Sequence, residues 1–496
     1  MDAMKESYEA LTASFAQNPR ARDASKQLLL KFKANLDSAY DELAHAVNDD
    51  FNKPELEFYV AEFGAALGEI SNLINNLDRY LKPESPLSSP ISFSTLSVSV
   101  DKIALGTVLI ISPFNYPLIL AVSPLAGAIA AGNNVVIKLP FDQLPSFCTA
   151  LTRVIEATFH SDQVLVVNGG IDESQYLLNQ CKFDKIFFTG STNVGKIVYK
   201  AAAEKLTPVV LELGGKSPVF ISKNIDMSSL ESLMDRLLWG KFTNAGQTCV
   251  APDYLMIEST VYDEVLKKLL QVFTSKFTNI NDSSDFSHIV NQRGFDRLSK
   301  LLEETKGTIF TSDKEKNTNF IPPTLVTNVE WNDALMQSEI FGPILPIMKY
   351  TGSLMYAVKE AAKYHDTPLA AYLFSSAEED LVTLKSSLRS GAILVNETLM
   401  SAGCFVSPFG GIGTSGFGNY HSKWSINTFT HERAVLKQPM WAETLIKARY
   451  FPYSSENLRL LKSLSSIPEI PYDTIKSSSS YAIMLIIGIF IGKYFF

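Results

Sequence analysis

The sequence predicts an α/β protein with two open, parallel-sheet domains. Between residues 102 and 215, short apolar runs typical of buried strands alternate with runs of helical periodicity. The alternation continues from residue 212 to about 402. A repeated strand–helix–strand order favours parallel sheets with helices on both faces, and 496 residues exceed what one core usually holds. The strand-like runs lie at 108–111, 135–137, 164–167, 185–188, 209–211 and 391–396.

Helices are expected before the first of these strands. From about residue 5 to 80, apolar residues such as Leu36, Leu43 and Val47 recur at steps of three and four. Three prolines between residues 83 and 90 then interrupt the pattern. Apolar residues alternate with polar ones at 96–100, which predicts an extended segment.

Composition excludes several classes of function. The net charge of −8 and the pI near 5.5, without a dense run of Lys or Arg, argue against nucleic-acid binding. The four cysteines are far apart and the six histidines show no ligand spacing, so neither a disulfide framework nor a metal site is expected. The first twenty residues contain acidic side chains and no apolar core, which argues against a secretory signal or a transit peptide.

The stretch 239–254, W-G-K-F-T-N-A-G-Q-T-C-V-A-P-D-Y, contains the candidate nucleophile Cys249. Gly246 permits close approach of the backbone to a ligand, and the polar side chains around it offer hydrogen bonds. A thiolate is a strong nucleophile when its surroundings activate it. The alternative is a buried structural cysteine, the commoner fate of an isolated cysteine.

A possible nucleotide site follows the run 185–188. There, Thr189, Gly190 and Ser191 lead into a helix that contains Val194 and Gly195, an arrangement suited to a pyrophosphate at a helix N-terminus. No G-x-G-x-x-G fingerprint is present. An ordinary strand–helix turn with a serine cap is the alternative.

Several motifs together resemble the aldehyde dehydrogenases. The resemblance covers roughly residues 1–450 and is to the class 3 type, which includes the fungal fatty aldehyde (hexadecenal) dehydrogenases with a C-terminal tail anchor. The motifs, in order, are P-F-N-Y-P at 113–117, F-T-G-S at 188–191, E-L-G-G-K-S-P at 212–218, G-Q-T-C-V-A-P-D-Y at 246–254, E-I-F-G-P at 339–343 and P-F-G-G at 408–411.

The resemblance implies a catalytic set. Cys249 would attack an aldehyde, and the side-chain amide of Asn115 with the backbone N–H of Cys249 would stabilise the resulting oxyanion. Glu212 would activate water to hydrolyse the thioester, so a free carboxylate is the expected product. Considered without the other motifs, Asn115 could be an ordinary turn residue and Glu212 could cap a glycine turn.

The resemblance also implies a nicotinamide cofactor. Lys138 would reach the adenosine ribose, and Glu339 with Phe341 would hold the nicotinamide ribose and pack near the ring. Phe141 departs from the pattern, because it occupies the place of an acidic residue that binds the ribose 2′-hydroxyl and repels a 2′-phosphate. NAD is the expected cofactor, with NADP possible. Taken singly, Lys138 is a surface lysine, Glu339 a turn residue and Phe341 a core residue.

The expected domains follow from these assignments: cofactor-binding at 1–211, catalytic at 212–420, an oligomerisation arm and return strand at 421–440, and a C-terminal extension at 441–480. The resemblance implies that 86–104, with a strand near 426–437, forms the arm and pairs with another subunit, so a homodimer is expected. The glycine-rich loop at 409–416 is expected to be a backbone loop near the active site and not a phosphate cradle.

The last segment, 481–496, reads Y-A-I-M-L-I-I-G-I-F-I-G-K-Y-F-F. Its 16 residues would span roughly 24 Å as a helix, against about 30 Å for a bilayer core. Local thinning accommodates such a mismatch. A tail anchor facing the cytosol, in the mitochondrial outer membrane or the endoplasmic reticulum, is expected. A packed C-terminal element or an interfacial helix is the alternative.

The expected function is oxidation of an aldehyde, and a long-chain fatty aldehyde in particular, to its acid. A thioester or ester hydrolase that uses the same cysteine, and a non-catalytic scaffold, are the alternatives. Residue patterns leave open the preferred chain length, the use of aromatic aldehydes, NAD against NADP, the membrane and the oligomeric state.

Overall fold

The computed structural model of the protein describes residues 2–17, 22–278, 280, 285–311, 319–466, 469–471 and 473. The chain divides into two compact units. The first unit combines Met1–Leu77 with Leu105–Phe429, and the second combines Asp78–Ala104 with Thr430–Phe496. All the candidate catalytic and cofactor residues belong to the first unit.

The strands of the described chain are β1 (Ser88–Ser89), β2 (Ser97–Ala104), β3 (Thr107–Ile111), β4 (Asn134–Pro140), β5 (Val164–Gly169), β6 (Lys185–Thr189), β7 (Val209–Glu212), β8 (Pro218–Ile221), β9 (Tyr254–Glu258), β10 (Thr308–Thr311), β11 (Thr324–Thr327), β12 (Ile344–Tyr350), β13 (Ala370–Phe374), β14 (Ala392–Val395), β15 (Gly416–Phe417), β16 (Thr430–Lys437) and β17 (Ile470–Pro471).

The helices are α1 (Asp2–Gln17), α2 (Arg22–Ser38), α3 (Tyr40–Phe51), α4 (Glu55–Phe58), α5 (Gly64–Tyr80), α6 (Ile119–Ala130), α7 (Pro145–Thr158), α8 (Ile171–Gln180), α9 (Thr192–Glu204), α10 (Leu230–Phe242), α11 (Tyr262–Phe277), α12 (Gln292–Glu304), α13 (Leu354–Tyr364), α14 (Glu378–Ser387), α15 (Met400–Gly403), α16 (Lys423–Thr428), α17 (Glu443–Ile446) and α18 (Ser455–Ser465). A π-helical turn, Tyr59–Phe63, joins α4 to α5. The helices expected between residues 5 and 80 are thus confirmed.

The first sheet has six strands in the order β15-β7-β6-β3-β4-β5. Strands β3 to β7 are parallel to their neighbours, whereas β15 runs antiparallel to β7. Strands β3, β4 and β7 are buried along their whole length, as expected for parallel strands covered on both faces. Helix α6, every residue of which is buried, follows β3 in the chain.

The second sheet has seven strands in the order β10-β11-β12-β9-β8-β13-β14. All its pairings are parallel except that of β10 with β11. Both predicted parallel sheets are therefore present, and each strand expected from residue 108 to 396 is confirmed. The domain boundaries proposed from the sequence stay predictions.

In the second unit, β2 and β16 form an antiparallel ribbon that runs from the Thr430–Ala104 pair to the Lys437–Ser97 pair. The extended segment expected at 96–100 is confirmed. The strand expected from residue 426 begins only at Thr430, because the preceding residues form α16, in which Ser425 and Ile426 are buried. Pairing of this ribbon with another subunit stays a prediction.

The predicted membrane segment, 481–496, lies outside the described residues. Among the helices that the structure does describe, none combines the length and the apolar character needed to cross a bilayer.

Candidate active site

Three of the predicted site residues lie at or near the carboxyl ends of strands in the first sheet. Glu212 ends β7, Thr189 ends β6 beside it, and Lys138 lies near the end of β4. Asn115 follows the end of β3, the strand between β4 and β6. Because the carboxyl ends of parallel strands meet at one edge, the fold gathers these residues where open α/β sheets bind ligands.

Helix α10 and a tight turn deliver the nucleophile. After α10 ends, Asn244 and Ala245 have φ angles of 56° and 51°, and Gly246 has a φ of 70°. A Cβ atom on Gly246 would lie 2.3 Å from the carbonyl oxygen of Gly342, so only glycine fits. This turn leaves Cys249 partly exposed.

The predicted oxyanion residue is tied directly to the nucleophile segment. Asn115 is buried, and its Nδ2 donates to the backbone oxygen of Gln247 at 2.9 Å. The hydroxyls of Tyr116 and Thr248 lie 2.7 Å apart. Two contacts therefore fix the Asn115 segment against the two residues that precede Cys249.

Glu212 carries a buried carboxylate. The residue is 2% exposed, and within the described part of the chain neither Oε1 nor Oε2 has a hydrogen-bond partner. Burial raises the pKa of Glu212 well above its ordinary value. Buried polar atoms are nearly always hydrogen-bonded, and a raised pKa makes a carboxylate a stronger base. This arrangement suits proton transfer better than structural support.

The surroundings of the nucleophile raise the pKa of its thiol, mainly through burial. Burial raises the pKa of the Cys249 thiol to about 12, with Glu339 and then Glu212 raising it further by repulsion. A thiolate must form before nucleophilic attack. A neighbouring base or a positive charge is therefore needed at neutral pH.

Alkylation of the free protein by iodoacetamide should consequently be steeply pH-dependent. Since the thiol pKa of Cys249 is raised to about 12, the thiolate fraction increases with pH throughout the neutral range. The alkylation rate at Cys249 should rise about tenfold per pH unit between pH 7 and pH 9. Mass spectrometry of the Cys249 peptide measures it, with Cys249→Ala as the blank. A rate that levels off below pH 8 would contradict the raised pKa.

The turn between β6 and α9 has the form expected for nucleotide binding. The Oγ of Ser191 caps α9 by accepting from the backbone N–H of Val194 at 3.4 Å, and Val194 is exposed. A Cβ on Gly195 would lie 2.7 Å from Leu213, so glycine lets the helix pack closely. The buried Oγ1 of Thr189 has no hydrogen-bond partner among the described residues. The backbone N–H of Gly190 donates to the backbone oxygen of Glu212 at 3.0 Å.

Lys138 is buried at the same edge of the sheet, near two acidic residues. Burial lowers the pKa of its ammonium, and the charges of Asp142 and Glu173 oppose that shift. Glu173 accepts from the backbone N–H of Gly170 at 2.8 Å. Glu173 was not identified from the sequence, because it is brought to this region by the pairing of β5 with β4. Phe141 is 37% exposed.

Glu339 and Phe341 lie in the segment between β11 and β12. Burial raises the pKa of Glu339 to about 8, and Asp253 contributes by repulsion. No described residue forms a hydrogen bond with the buried Oε1 of Glu339. The ring of Phe341 meets that of Phe114 edge-on, with centroids 6.1 Å apart.

A buried lysine beside Glu339 was not identified from the sequence. Lys216 pairs with Asp253 at 2.5 Å and donates to the backbone oxygens of Leu335 and Ser338 at 2.7 and 3.0 Å. These bonds hold the start of the segment that carries Glu339. The E-L-G-G-K-S-P motif contains this lysine, but only the fold brings Asp253 to it.

A profile of the aldehyde dehydrogenase family matches residues 2–435 of this chain. The chain belongs to the aldehyde dehydrogenase family. It is an oxidoreductase that oxidises aldehydes to acids. The family resemblance carried by the motifs is thereby confirmed, as is its class 3 character, because class 3 relatives are about 38% identical to the chain.

Two relatives illustrate the similarity. Fatty aldehyde dehydrogenase HFD1 of Saccharomyces cerevisiae is 38% identical over 462 residues, which cover 91% of this chain and 86% of that protein. The 4,4'-diaponeurosporen-aldehyde dehydrogenase of Staphylococcus aureus is 39% identical over 85% of this chain and 91% of its own.

A solved structure is similar to this aldehyde dehydrogenase over nearly its whole length. It is the substrate-bound state of AldH from Staphylococcus aureus, with a TM-score of 0.87 and 36% identity, covering 92% of this chain and 98% of that one.

Within the described part of this chain, no group of three or more His, Cys, Asp or Glu side chains could hold a metal ion.

Proposed function

We propose that this aldehyde dehydrogenase oxidises long-chain fatty aldehydes to free acids through a covalent adduct on Cys249, with NAD as the hydride acceptor. The buried carboxylate of Glu212 is the observation that carries the proposal, because it raises the pKa of Cys249 and has no hydrogen-bond partner among the residues that the structure describes. The name of the yeast relative, a fatty aldehyde dehydrogenase, supports the substrate class.

The first step is attack of the Cys249 thiolate on the aldehyde carbonyl carbon. A carbon–sulfur bond forms, and negative charge develops on the carbonyl oxygen. The side-chain amide of Asn115 and the backbone N–H of Cys249 donate hydrogen bonds to that oxygen. Asn115 uses one amide proton on Gln247 and has a second available for the oxyanion.

The cofactor side fits a dinucleotide. The pyrophosphate would lie at the N-terminus of α9 near Ser191, with Gly190, Val194 and Gly195 shaping the turn and Lys138 reaching a ribose. The buried Oγ1 of Thr189 and Oε1 of Glu339, which have no partner in the described chain, would provide further polar contacts. Phe341 would provide an aromatic surface. A bound nicotinamide supplies a hydride acceptor, and loss of hydride leaves a thioester on Cys249.

Hydrolysis completes the reaction. Glu212 removes a proton from water, the water oxygen attacks the thioester carbon, and the carbon–sulfur bond breaks to release the acid and the thiolate. The raised pKa of Glu212 favours this proton transfer. Because water is the acceptor, the product is the free carboxylate.

A panel of long-chain, short-chain and aromatic aldehydes, each assayed with NAD and NADP, tests the function. We expect kcat/KM to be at least about tenfold higher for long-chain than for short-chain aldehydes, since each buried methylene contributes roughly 0.8 kcal/mol. We expect NAD to be preferred over NADP. The preference should be small, because Phe141 provides no carboxylate to repel the 2′-phosphate of NADP.

Two outcomes of the panel would overturn the proposal. Ester cleavage that needs no cofactor, without any aldehyde oxidation, would make the protein a hydrolase. Tight NAD binding without turnover of any aldehyde would make it a scaffold.

We further propose that 481–496 anchors a homodimer in an intracellular membrane, either the mitochondrial outer membrane or the endoplasmic reticulum, with the enzyme facing the cytosol. The motivation is partition of the substrate, because a long-chain aldehyde dissolves in the bilayer. An anchored enzyme is confined to the surface where its substrate is concentrated. The apolar composition of 481–496 supports this role.

Deletion of 481–496 should release the enzyme from membranes and leave its chemistry intact. The truncated protein should appear in the supernatant after sedimentation. Its activity on aldehyde delivered in vesicles should fall, whereas its kcat on a short soluble aldehyde should stay within about twofold, because the candidate catalytic residues precede the tail by far. Equal sedimentation of the two forms with membranes would contradict anchoring by this segment.

A further inference from the structure

A fully buried lysine lies behind the predicted oxyanion residue. Lys53, between α3 and α4, is 0% exposed. Its Nζ donates to the backbone oxygen of Asn115 at 3.0 Å and pairs with Glu62 Oε1. The same ammonium lies over the ring of Tyr116, 4.4 Å from its centroid. The ring of Phe51 also lies near this ammonium, with its centroid at 5.4 Å. The closer contacts of Lys53 are thus with Asn115, with the neighbouring Tyr116 and with its counter-ion Glu62.

Glu62 continues the contact to the other end of the same segment. This fully buried residue of the π-helical turn accepts from the backbone N–H of Leu118 through Oε2, at 2.8 Å. Leu118 precedes the first turn of α6. The ion pair of Lys53 and Glu62 therefore holds the chain at both ends of the segment 115–118.

A second donor reaches the same carbonyl oxygen from the nucleophile turn. The Nδ2 of Asn244 donates to the backbone oxygen of Asn115 at 2.8 Å and to that of Gln247 at 3.3 Å. The backbone N–H of Asn244 in turn donates to Glu57 at 2.9 Å. The carbonyl of Asn115 is thus held between an ammonium and a side-chain amide, which fixes the direction of its own amide relative to Cys249.

We infer that Lys53, with Glu62, is a positioning residue for the oxyanion site: it sets the orientation of the Asn115 amide. This inference rests on the proposed function, in which Asn115 donates to the oxyanion. Oxyanion donors act through preorganised geometry, and a misplacement of about 1 Å lowers a rate about 100-fold. A contact from a separate N-terminal element to the backbone of Asn115 provides such preorganisation.

A double-mutant cycle on kcat tests the inference. Replacing Lys53 alone would leave Glu62 as an unpaired buried charge, so the variant to use is Lys53→Met combined with Glu62→Gln. This change is made in the otherwise unaltered full-length enzyme and in Asn115→Ala. The reference is Lys205→Met, because Lys205 also donates to backbone oxygens, those of Leu178, Asn179 and Cys181, away from the site.

We expect the paired change to lower kcat about 10- to 100-fold in the unaltered enzyme but less than about threefold in Asn115→Ala. The reason is that the effects of substitutions at interacting residues do not add. NAD affinity and iodoacetamide alkylation of Cys249 should stay within about twofold, and Lys205→Met should leave kcat within the same factor. An equal loss of kcat in both backgrounds would overturn the inference, because the pair would then act independently of Asn115.

Lys53→Arg keeps the test decisive if the paired variant does not fold. Arginine retains a charge for Glu62 but displaces the donor from the oxygen of Asn115, because its planar fork differs from an ammonium. We expect a three- to tenfold lower kcat that again disappears in Asn115→Ala. An unchanged kcat in a folded Lys53→Arg protein would count against the inference. An unchanged kcat in Asn115→Ala itself would instead refute the oxyanion role in the proposed function.

Discussion

Substitution of Cys249 with alanine should lower aldehyde-dependent NADH formation by about 10⁴-fold or more. An aldehyde carbon has no leaving group other than hydride, and expulsion of hydride requires the electron-rich adduct that the thiolate forms. Removal of a nucleophile from a preorganised site typically has effects of this size. The measurement is absorbance at 340 nm with a saturating aldehyde and NAD.

The reference variant is Cys404→Ala, because Cys404 is the other partly exposed cysteine of the described chain. It should retain kcat within about twofold. Binding of NAD to Cys249→Ala, followed by fluorescence, should also be preserved, since the cofactor turn lies at a different strand end. Near-full NADH production by Cys249→Ala would refute the covalent mechanism.

Substitution of Glu212 with glutamine should separate the two halves of the reaction. The adduct and the hydride step do not require a base for water, so the first turnover should still produce about one NADH per active site. Hydrolysis should then be slow, with steady-state kcat about 10²- to 10⁴-fold lower, the range typical of a lost general base. Rapid-mixing absorbance measures the burst, and mass spectrometry should detect the acyl group on Cys249.

The same substitution should stabilise the fold. Burial raises the pKa of Glu212 in the folded protein above its pKa in the unfolded chain. The contribution of Glu212 to the free energy of unfolding is therefore fully present below the pKa of the unfolded chain and is lost as pH rises through the pKa of the folded protein. Removing the ionisable group should therefore raise the Tm, and the difference should grow from pH 5 to pH 9.

Glu258 provides the matched control, because it too is a buried glutamate at the end of a strand. Burial acts to raise its pKa, but hydrogen bonds from Thr260 and Ser259 outweigh burial and lower that pKa. Its stability contribution is thus present above the unfolded pKa and lost as pH falls, so Glu258→Gln should lower the Tm at pH 8. A lower Tm for both variants at pH 8 would contradict the assignment of Glu212 as a functional rather than a structural carboxylate.

Local patterns were sufficient to predict the N-terminal helices and the strands β3 to β7 and β14. Buried parallel strands are continuous apolar runs, so each of the strands β3 to β7 can be recognised from its own sequence. Ligands bind at the carboxyl ends of such strands, and this rule brings Asn115, Thr189 and Glu212 together. The turn before Cys249 contains a glycine whose role is also local. These features depend on residues that lie close in sequence.

Contacts between distant segments could not be predicted in this way. Lys53 and Glu62 occur in helical sequence some sixty residues before the segment they hold, and no periodicity marks a lysine as buried. Glu173 is brought near Lys138 by the pairing of β5 with β4. Lys216 meets Asp253 because these residues precede the neighbouring strands β8 and β9. The start of β16 was misplaced because α16 shares its apolar character, and only the burial of Ile426 in a helix distinguishes the two.

The return of β15 to the first sheet has a consequence for the order in which the chain folds during synthesis. Gly416 pairs with Glu212 across an interval that contains the entire second sheet. On the ribosome, β7 therefore has an unpaired edge until residue 417 has emerged, although the second sheet can complete its own pairing from residues 218–395. Exposed edges of this kind attract other strands. We therefore expect the first sheet to be most prone to aggregation while some two hundred residues after β7 are being synthesised. The pairing of β15 with β7, the strand that carries Glu212, is then among the last steps in assembly of this sheet.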